Sequence, residues 1–383
     1  MSELSHLHSK VGNYPRGEAK RDNFEFNFPE ALWSCKKKMD LKDFSYDLPA
    51  ERIAQQPCPQ RDHSRMMILN RAANNTADFN FFDLPSFLQE GDVLVINESR
   101  VIPARISGRK ETGSQFDILL LSKKSGDAGK QIWEVLLKPA KRLHENDTIY
   151  LEGRAQAQVL SRISDKKWLL QFTAPGNFLE YLQLYGRAPL PPYIRRPKNL
   201  EKNNLDRERY QTIYAKNNGS IAAPTAGLHF SPEVMQKLAQ KGVLIAPVTL
   251  HVGYGTFLPI TGDVVEDHQM EQEYYEISAA SAALINQARR VIAVGTTSVR
   301  TLESAAAENG LIKPQSGWTS IFIYPGYTFK RIDGLLTNFH LPKSSLFLLV
   351  CAFAGTDFVK NAYRSAVQKN YFFYSYGDCM LII

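Results

Sequence analysis

A stretch of short alternating strands interrupts a sequence that otherwise alternates helices with apolar strands. Between Arg100 and about Thr173, apolar and polar residues follow one another in short runs, as at Phe116, Ile118 and Leu120. Five or six such strands, separated by tight turns and with few helical signals, are typical of a small antiparallel barrel. This region therefore predicts a compact β-barrel.

The sequence on either side of this region predicts a layered α/β fold. The continuous apolar runs 66–69 and 93–96 suit strands that are covered on both faces. From Ala222 onward we predict helices at 232–241, 278–290 and 298–309, and strands at 243–250 and 291–294. The fold class is thus α/β, with a layered domain of residues 39–99 and 206–383. An inserted small antiparallel β-barrel domain and its linker, 100–205, interrupt it.

Residues 1–38 differ in composition from the rest of the chain. They mix Ser, Asn, Lys and Glu with isolated aromatic residues, lack a sustained period and end in three lysines. Segments of this kind bury too little apolar surface to fold by themselves. We predict a poorly ordered N-terminal extension here, and Met39 as the natural start.

The composition of the 383-residue chain restricts its class. A net charge of +7 and a pI near 9.0 favour an anionic partner such as RNA, although an ordinary basic enzyme fits the charge equally well. The four cysteines form no Cys-x-x-Cys pair, which argues against a zinc site and a disulfide framework. Since the sequence has no apolar run of about 20 residues and no secretory signal, we expect a cytoplasmic protein without a membrane partner. We also expect a monomer.

The strongest local motif is a predicted strand that ends at Gly295 and leads into three hydroxyl residues. Thr296, Thr297 and Ser298 follow the glycine, and Arg300 comes two residues later. Free N–H groups and the helix dipole at such a helix start bind carboxylate or phosphate, and ligands collect at these strand ends. Simple capping of the helix by Thr297 or Ser298 is the alternative. We favour a ligand, because three hydroxyls and an arginine exceed what a cap needs.

Four histidines lie beside glycines or small polar residues at predicted strand ends: His229, His251, His268 and His340. Any one of them is more often a structural residue than a catalytic one. Together they suit proton transfer, since an unperturbed imidazole titrates near neutral pH. Their spacing matches no zinc motif, so we expect no metal.

Two further groups of residues have equally ordinary explanations. Tyr210, Gln211 and Thr212 could stack on and hydrogen-bond a purine, or belong to a core strand. The basic residues of the predicted barrel could contact RNA, or simply be solvated: Lys138, Lys141 and Arg142.

Taken in order, these motifs closely resemble those of the S-adenosylmethionine:tRNA ribosyltransferase-isomerase family of queuosine biosynthesis. The resemblance covers residues 39–383. The matching segments are 40–53, 61–65 (Arg-Asp-His-Ser-Arg), 97–105 (Asn-Glu-Ser-Arg-Val-Ile-Pro-Ala-Arg), 190–195 (Leu-Pro-Pro-Tyr-Ile-Arg), 210–215, 224–230, 251–259, 295–304, 333–342 and 372–382.

The resemblance implies an α/β domain with an inserted barrel, and a specific reaction. The ribosyl group of S-adenosylmethionine is transferred to 7-aminomethyl-7-deazaguanine at the tRNA wobble position and rearranged, giving epoxyqueuosine, adenine and methionine. S-adenosylmethionine is then a consumed substrate, and no cofactor is expected.

The same resemblance suggests roles for particular residues. We expect His229 and His340 to be the proton-transfer pair, with His251 and His268 as reserves. Substrate would contact the residues at 210–212, those at 296–298, Arg300 and Asn338. The basic barrel residues and Arg195 would contact tRNA.

One position departs from the family pattern. Many members have His-x-Met-His-x-Glu where this chain has Glu271 in place of the second histidine. Either the position is not essential, or the carboxylate acts as the base instead, and we do not name Glu271 as catalytic. Two other interpretations remain open for the whole chain: a noncatalytic RNA-binding protein that uses the basic barrel, and a different enzyme that acts on an adenosyl substrate.

Overall fold

A computed structural model describes residues 38–196, 204–257 and 259–383, and residues 38–383 form one compact unit. The predicted N-terminal extension, apart from Lys38, lies outside the described residues. Met39 is the second residue of the described part, and its backbone N–H donates to Glu266.

Ten strands precede the first α-helix of the described chain, and helices are interspersed with strands after it. The strands are β1 (Arg65–Asn70), β2 (Asn75–Asn80), β3 (Asp92–Asn97), β4 (Ser99–Val101), β5 (Arg105–Arg109), β6 (Gln115–Gly126), β7 (Lys130–Lys138), β8 (Thr148–Leu151), β9 (Gln156–Arg162), β10 (Lys167–Thr173), β11 (Asn217–Ser220), β12 (Leu244–Leu250), β13 (Glu273–Ile277), β14 (Arg290–Val294), β15 (Gln315–Thr319), β16 (Gly334–Asn338) and β17 (Cys379–Ile382). The α-helices are α1 (Phe178–Tyr185), α2 (Asn204–Arg209), α3 (Pro232–Gln240), α4 (Ala279–Gln287), α5 (Thr296–Ala305), α6 (Ser345–Ala354) and α7 (Thr356–Gln368).

A nine-stranded mixed sheet forms the centre of the molecule, in the order β15-β13-β12-β3-β14-β16-β17-β1-β2. Strand β3 lies parallel to both of its neighbours, β12 and β14. Every residue of β3 is buried, as its continuous apolar run predicts. The predicted strands at 66–69, 93–96, 243–250 and 291–294 are all present in this sheet, so this part of the prediction is confirmed.

Apolar layers cover both faces of the sheet, because successive strand side chains point to opposite faces. Val93 and Val95 of β3 join the core that contains residues of α4, α5, α6 and α7. Leu94 and Ile96 join the core that contains residues of α3 and of the 3-10 helix Phe81–Phe87. The layered α/β fold is therefore confirmed.

Six antiparallel strands close a barrel in the order β10-β7-β6-β5-β8-β9. Phe116, Ile118 and Leu120 point into its core, where each is at most 2% exposed. The predicted small barrel is confirmed. Its strands begin at Arg105, because the preceding strand β4 pairs elsewhere.

Strand β4, by which the chain leaves the sheet for the barrel, pairs with strand β11, by which it returns. Strand β4 leads into the barrel and β11 follows it, and the two run parallel. Asn97 joins them to β12: its Oδ1 accepts from the N–H groups of Ser99 (3.0 Å) and Leu250 (3.1 Å), and its Nδ2 donates to the Leu250 carbonyl (2.9 Å). Ser220 Oγ lies 2.7 Å from Ser99 Oγ. These buried bonds fix the place where the barrel joins the sheet.

Two predicted helix bounds were wrong, and one alternative for a third segment was wrong. The helix predicted at 298–309 is α5, Thr296–Ala305, and the chain turns at 307–310 after it. The helix predicted at 278–290 ends at Gln287, because Arg290 already begins β14. Residues 210–215 form turns rather than a core strand. Among the described residues, no single helix is long and apolar enough to cross a membrane; α6 and α7 reach that length only together and bend by 116° between them.

Candidate active site

A small cavity lies where β14 and β16 end. It encloses about 40 Å³. Two short segments contribute most of its polar wall: Gly295, Thr296 and Thr297 after β14, and Thr337, Asn338 and His340 at the end of β16. The motif after the strand at 291–294 and the motif around His340 were predicted separately, and the structure brings them together. This is the position where ligands bind in open α/β sheets.

Helix α5 begins at the cavity without a side-chain cap. Gly295 is the N-cap and adopts φ 86°, a conformation that favours glycine. Ser298 Oγ donates to the Val294 carbonyl at 2.8 Å, so it does not cap the helix. Thr297 Oγ1 is buried without a hydrogen-bond partner in the described part of the chain, and Thr297 lines the cavity. No side chain caps the helix, so the capping alternative is wrong, and anion binding by the first-turn N–H groups and this hydroxyl stays a prediction.

His340 lines the cavity from the end of β16. Its side chain is 6% exposed, and its Nε2 lies 2.9 Å from Thr337 Oγ1. Its backbone N–H donates to the Tyr363 hydroxyl at 3.2 Å, which anchors the loop. Burial lowers the pKa of His340 from 6.5 to about 3, so the imidazole is neutral at pH 7.

His229 lies behind the cavity wall and is absent from its lining. Its Nδ1 is 2.7 Å from Ser64 Oγ and its Nε2 is 3.0 Å from Asn338 Nδ2, while its ring stacks on Phe81. Burial, followed by the charge of Arg61, lowers the pKa of His229 to about 3. Asn338, two residues before His340, therefore contacts His229, but of the two predicted histidines only His340 lines the cavity.

Two aromatic side chains, Tyr193 and Tyr374, also line the cavity. The rings of Tyr193 and Tyr374 meet edge-on with centroids 4.0 Å apart, and the Tyr193 hydroxyl lies 2.5 Å from Ser375 Oγ. Tyr374 adopts φ 74°, which is unusual for a residue other than glycine and often marks a functional site. Sequence reasoning did not single out these residues, although Tyr193 and Tyr374 lie inside segments that match the family.

Tyr193 also lines a second, larger space. An open groove of about 870 Å³ adjoins its other side and is lined by Gln55, Arg195 and Arg196 among others. Arg196 is paired with Asp206 at 2.7 Å. Arg195, which was predicted to contact tRNA, is exposed in this groove.

Arg300 is engaged inside the protein. It is 3% exposed, and its guanidinium forms an ion pair with Glu273, which also accepts from the backbone N–H of Gly253 at 2.8 Å. The predicted contact of Arg300 with a substrate carboxylate would have to use its Nη2, the nitrogen that has no partner within the described residues.

The two reserve histidines lie outside the cavity lining. The ring of His251 stacks on Tyr274 at 5.8 Å, and that of His268 meets Phe322 edge-on at 5.0 Å. Burial lowers the pKa of both. His251 Nδ1 is buried without a partner within the described residues, and the reserve role of both histidines stays a prediction.

Glu271, which stands where the family often has histidine, is also outside the cavity lining. Its carboxylate pairs with Lys167 of barrel strand β10 at 2.7 Å, and Lys167 pairs in turn with Glu134 of β7. This position therefore joins the barrel to the segment before β13. A catalytic base at Glu271 has no support from this placement.

The segment 210–212 is buried beside strand β4. The Gln211 carboxamide accepts from the backbone N–H of Val101 at 2.9 Å and donates to its carbonyl at 3.1 Å. Tyr210 is 1% exposed and packs edge-on against Tyr376, and Thr212 is 4% exposed. These contacts are structural, and none of the three residues lines the cavity.

On the barrel, Lys138 and Lys141 are exposed; the side chain of Arg142 lies outside what the structure describes. Across residues 38–196, 204–257 and 259–383, no group of three His, Cys, Asp or Glu side chains could hold a metal ion.

Comparisons with known proteins agree over nearly the whole chain. The family described as "Queuosine biosynthesis protein" matches residues 41–382. The chain is 55% identical over 361 residues to an S-adenosylmethionine:tRNA ribosyltransferase-isomerase of Syntrophus aciditrophicus (strain SB), in an alignment of 90% of this chain and 100% of that protein. It is 50% identical over 351 residues to a protein of the same name from Desulfitobacterium hafniense (strain DSM 10664 / DCB-2), with 90% and 100% covered.

A crystal structure of S-adenosylmethionine tRNA ribosyltransferase from Thermotoga maritima is also similar. It shares 34% identity, with 89% of this chain and 100% of that chain covered and a TM-score of 0.49.

Proposed function

This chain belongs to the queuosine biosynthesis protein family, and on that premise we propose that it is an S-adenosylmethionine:tRNA ribosyltransferase-isomerase. The reaction joins the ribosyl group of S-adenosylmethionine to the aminomethyl nitrogen of 7-aminomethyl-7-deazaguanine at the tRNA wobble position. The bonds from the ribose to adenine and to the methionine sulfur break, and rearrangement gives epoxyqueuosine. The observation that carries this proposal is 50–55% identity along the full length of two relatives that bear this name.

The cavity offers groups that suit the small substrate. The start of α5 can hold the methionine carboxylate, because its N–H groups and Thr297 Oγ1 are free to bind an anion. His340 can approach the reacting part of the molecule from β16. Because its imidazole is neutral and a weak base, it suits hydrogen bonding to the leaving adenine better than removal of a proton.

The larger groove suits the RNA. It is open and lies against the same tyrosine that walls the cavity, and Arg195 is exposed in it. A wobble nucleotide placed there would lie next to the small substrate, and the flanking phosphates could reach Arg195. Lys138 and Lys141 of the barrel would extend the contact.

The cavity must widen before S-adenosylmethionine can bind. Its volume of about 40 Å³ lies far below the roughly 300–1,000 Å³ of ordinary ligand sites. Tyr193 lines both the cavity and the groove, so movement of its ring is the simplest way to open the cavity.

One assay tests the reaction. The protein is incubated with S-adenosylmethionine and tRNA that carries the 7-aminomethyl base, and we expect adenine and methionine in equal amounts with ribosylated tRNA. The same tRNA with guanine at the wobble position is the control and should release neither.

The alternatives give different products. Adenosylhomocysteine would indicate methyl transfer and overturn the proposal. Tight binding of tRNA with no release of adenine would indicate a noncatalytic RNA-binding protein.

A further inference from the structure

Thr337 determines which nitrogen of His340 carries the proton. Thr337 is 1% exposed, and His340 Nε2 is the acceptor within reach of its hydroxyl among the described residues. A buried hydroxyl proton without an acceptor is unfavourable, so the Thr337 hydroxyl donates to Nε2. The proton of the neutral imidazole is then on Nδ1. Since His340 lines the cavity and Nδ1 has no partner in the described part of the chain, Nδ1–H is available to a ligand.

His229 determines, in a similar way, which atom of Asn338 is free. Asn338 Nδ2 lies 3.0 Å from His229 Nε2 and 3.4 Å from the Asp378 carbonyl oxygen. Because a carbonyl oxygen can only accept, the atom beside it is the amide nitrogen, which also donates to Nε2. Asn338 Oδ1 is the remaining atom. It is buried without a partner within the described residues, in a side chain that lines the cavity and is 2% exposed.

We propose that His340 Nδ1–H and Asn338 Oδ1 form a donor–acceptor pair that recognises the adenine edge of S-adenosylmethionine. Thr337 and His229 act as positioning residues that fix this polarity. The proposal rests on the proposed function, since it assigns one part of that substrate to one part of the cavity.

Adenine is the part of the substrate whose polarity matches the pair. Its exocyclic amino group donates and the adjacent ring nitrogen accepts, so both bonds can form side by side. In the methionine part of the substrate, the carboxylate only accepts hydrogen bonds and the ammonium group only donates them. Each of these groups therefore matches only one member of the pair. The ring walls of Tyr193 and Tyr374 supply flat surfaces for a purine.

Substrate discrimination tests the pair. The inosyl analogue of S-adenosylmethionine has a carbonyl in place of the amino group, which would face Asn338 Oδ1 as a second acceptor. In the complete reaction with the tRNA substrate, kcat/KM for methionine release should favour the adenosyl substrate by at least about tenfold. In Asn338→Ala we expect this ratio to fall, because the repulsion between the two acceptors is lost, although the N1–H of the inosyl base still opposes His340 Nδ1–H.

A matched control separates recognition from general damage to the cavity. Val252→Ala also alters the cavity lining, but it removes only apolar contact. It should lower kcat/KM for both substrates equally and leave their ratio unchanged. Equal use of the two substrates by the wild-type protein, or an unchanged ratio in Asn338→Ala, would overturn the pairing while leaving the reaction itself established. Absence of methionine release from the adenosyl substrate would instead contradict the proposed function.

The positioning residues are tested by paired variants. His229→Leu removes the acceptor for Asn338 Nδ2 and should reduce the discrimination, whereas His229→Gln retains an acceptor and should restore most of it. Thr337→Val should lower kcat/KM by about tenfold or more, and Thr337→Ser should recover it. Equal behaviour of the two members of each pair would contradict a positioning role.

A spectroscopic measurement tests the tautomers without substrate or turnover. In protein with ¹⁵N-labelled histidine, the ring-nitrogen chemical shifts of His229 and His340 should be those of the Nδ1–H tautomer. The signals of each histidine are assigned by their loss in His229→Gln or His340→Gln. Thr337→Val should shift the His340 signals towards a mixture of tautomers. An Nε2–H form of His340 in the wild-type protein would overturn the assignment, whatever the reaction.

Discussion

The free energy of unfolding should depend on pH, and the lowered pKa values of His229 and His340 set the direction of that dependence. Burial lowers the pKa of both from 6.5 to about 3, so between these values the unfolded chain binds a proton at each site that the folded protein does not. The free energy of unfolding must then fall as the pH drops through this window, by about 1.4 kcal/mol per pH unit for each histidine.

The prediction is that His340→Gln flattens this dependence. Urea unfolding at pH 7, 6 and 5 should show a smaller loss of stability in the variant than in the wild-type protein. The difference between their slopes should approach about 1.4 kcal/mol per pH unit below pH 6. Equal slopes of unfolding free energy against pH in the two proteins would mean that His340 binds its proton over the same pH range in the folded protein as in the unfolded chain.

The buried pair of Arg300 and Glu273 is a second feature at this scale. Each side chain is 4% exposed, so loss of one partner leaves the other charge in a low-dielectric interior. We predict that Glu273→Leu destabilises the protein by about 3–5 kcal/mol. The double variant Glu273→Leu with Arg300→Met should recover much of this loss in chemical denaturation, because it leaves no unpaired charge. Additive losses in the double variant would refute the interpretation.

Among the elements, the junction of the barrel with the sheet depends on one asparagine. Asn97 binds Ser99 N–H and both backbone groups of Leu250, and all three bonds are buried. Asn97→Ala should therefore lower the free energy of unfolding by roughly 3 kcal/mol, measured by denaturant titration. The control is Asn218→Ala on β11, whose side chain is exposed and whose loss should cost about 0.5 kcal/mol or less. Similar effects of both variants would contradict this role for Asn97.

Continuous burial made some elements predictable from the sequence. Strands β1, β3 and β14 are covered on both faces, so their apolar runs are uninterrupted and their bounds were predicted to within about a residue. Helix α3 was equally clear, because Ser231 caps it and Pro232 begins it. Strands β5, β9 and β10 were not named, since each barrel strand has one polar face and a short, weak pattern. Helix α6 was also missed, because the apolar run 345–354 fits a helix or a strand.

The candidate site was predictable only in part for a similar reason. The hydroxyl residues after Gly295 and the segment 337–340 carry local signals, and the structure brings them together at one cavity. The division of labour between His229 and His340 depends on which side chain lies in front of the other. That order is set by packing against Phe81 and by the bond to Asn338, which no local pattern encodes.

For the molecule as a whole, the positions of a few positively charged residues should determine how it binds tRNA. Arg195 lies in the groove, and Lys138 and Lys141 lie on the barrel. Arg195→Gln should weaken tRNA binding and reduce the slope of log affinity against log salt by about 1, since one phosphate contact is lost. Lys237→Gln on α3 is the charge-matched control and should leave the slope unchanged. A slope that is unaltered in Arg195→Gln, but reduced when Lys138 and Lys141 are neutralised, would place the RNA contact on the barrel alone.

Tyr193 is shared by the cavity and the groove, so binding in one is thermodynamically linked to binding in the other. Its ring lines both the small cavity and the open groove. If a ligand in the groove shifts the ring, it changes the free energy of filling the cavity, and the reverse effect must have the same magnitude. The two substrates would then bind cooperatively without touching each other. The coupling free energy between the two binding sites would vanish in Tyr193→Ala, because this one side chain lines both of them.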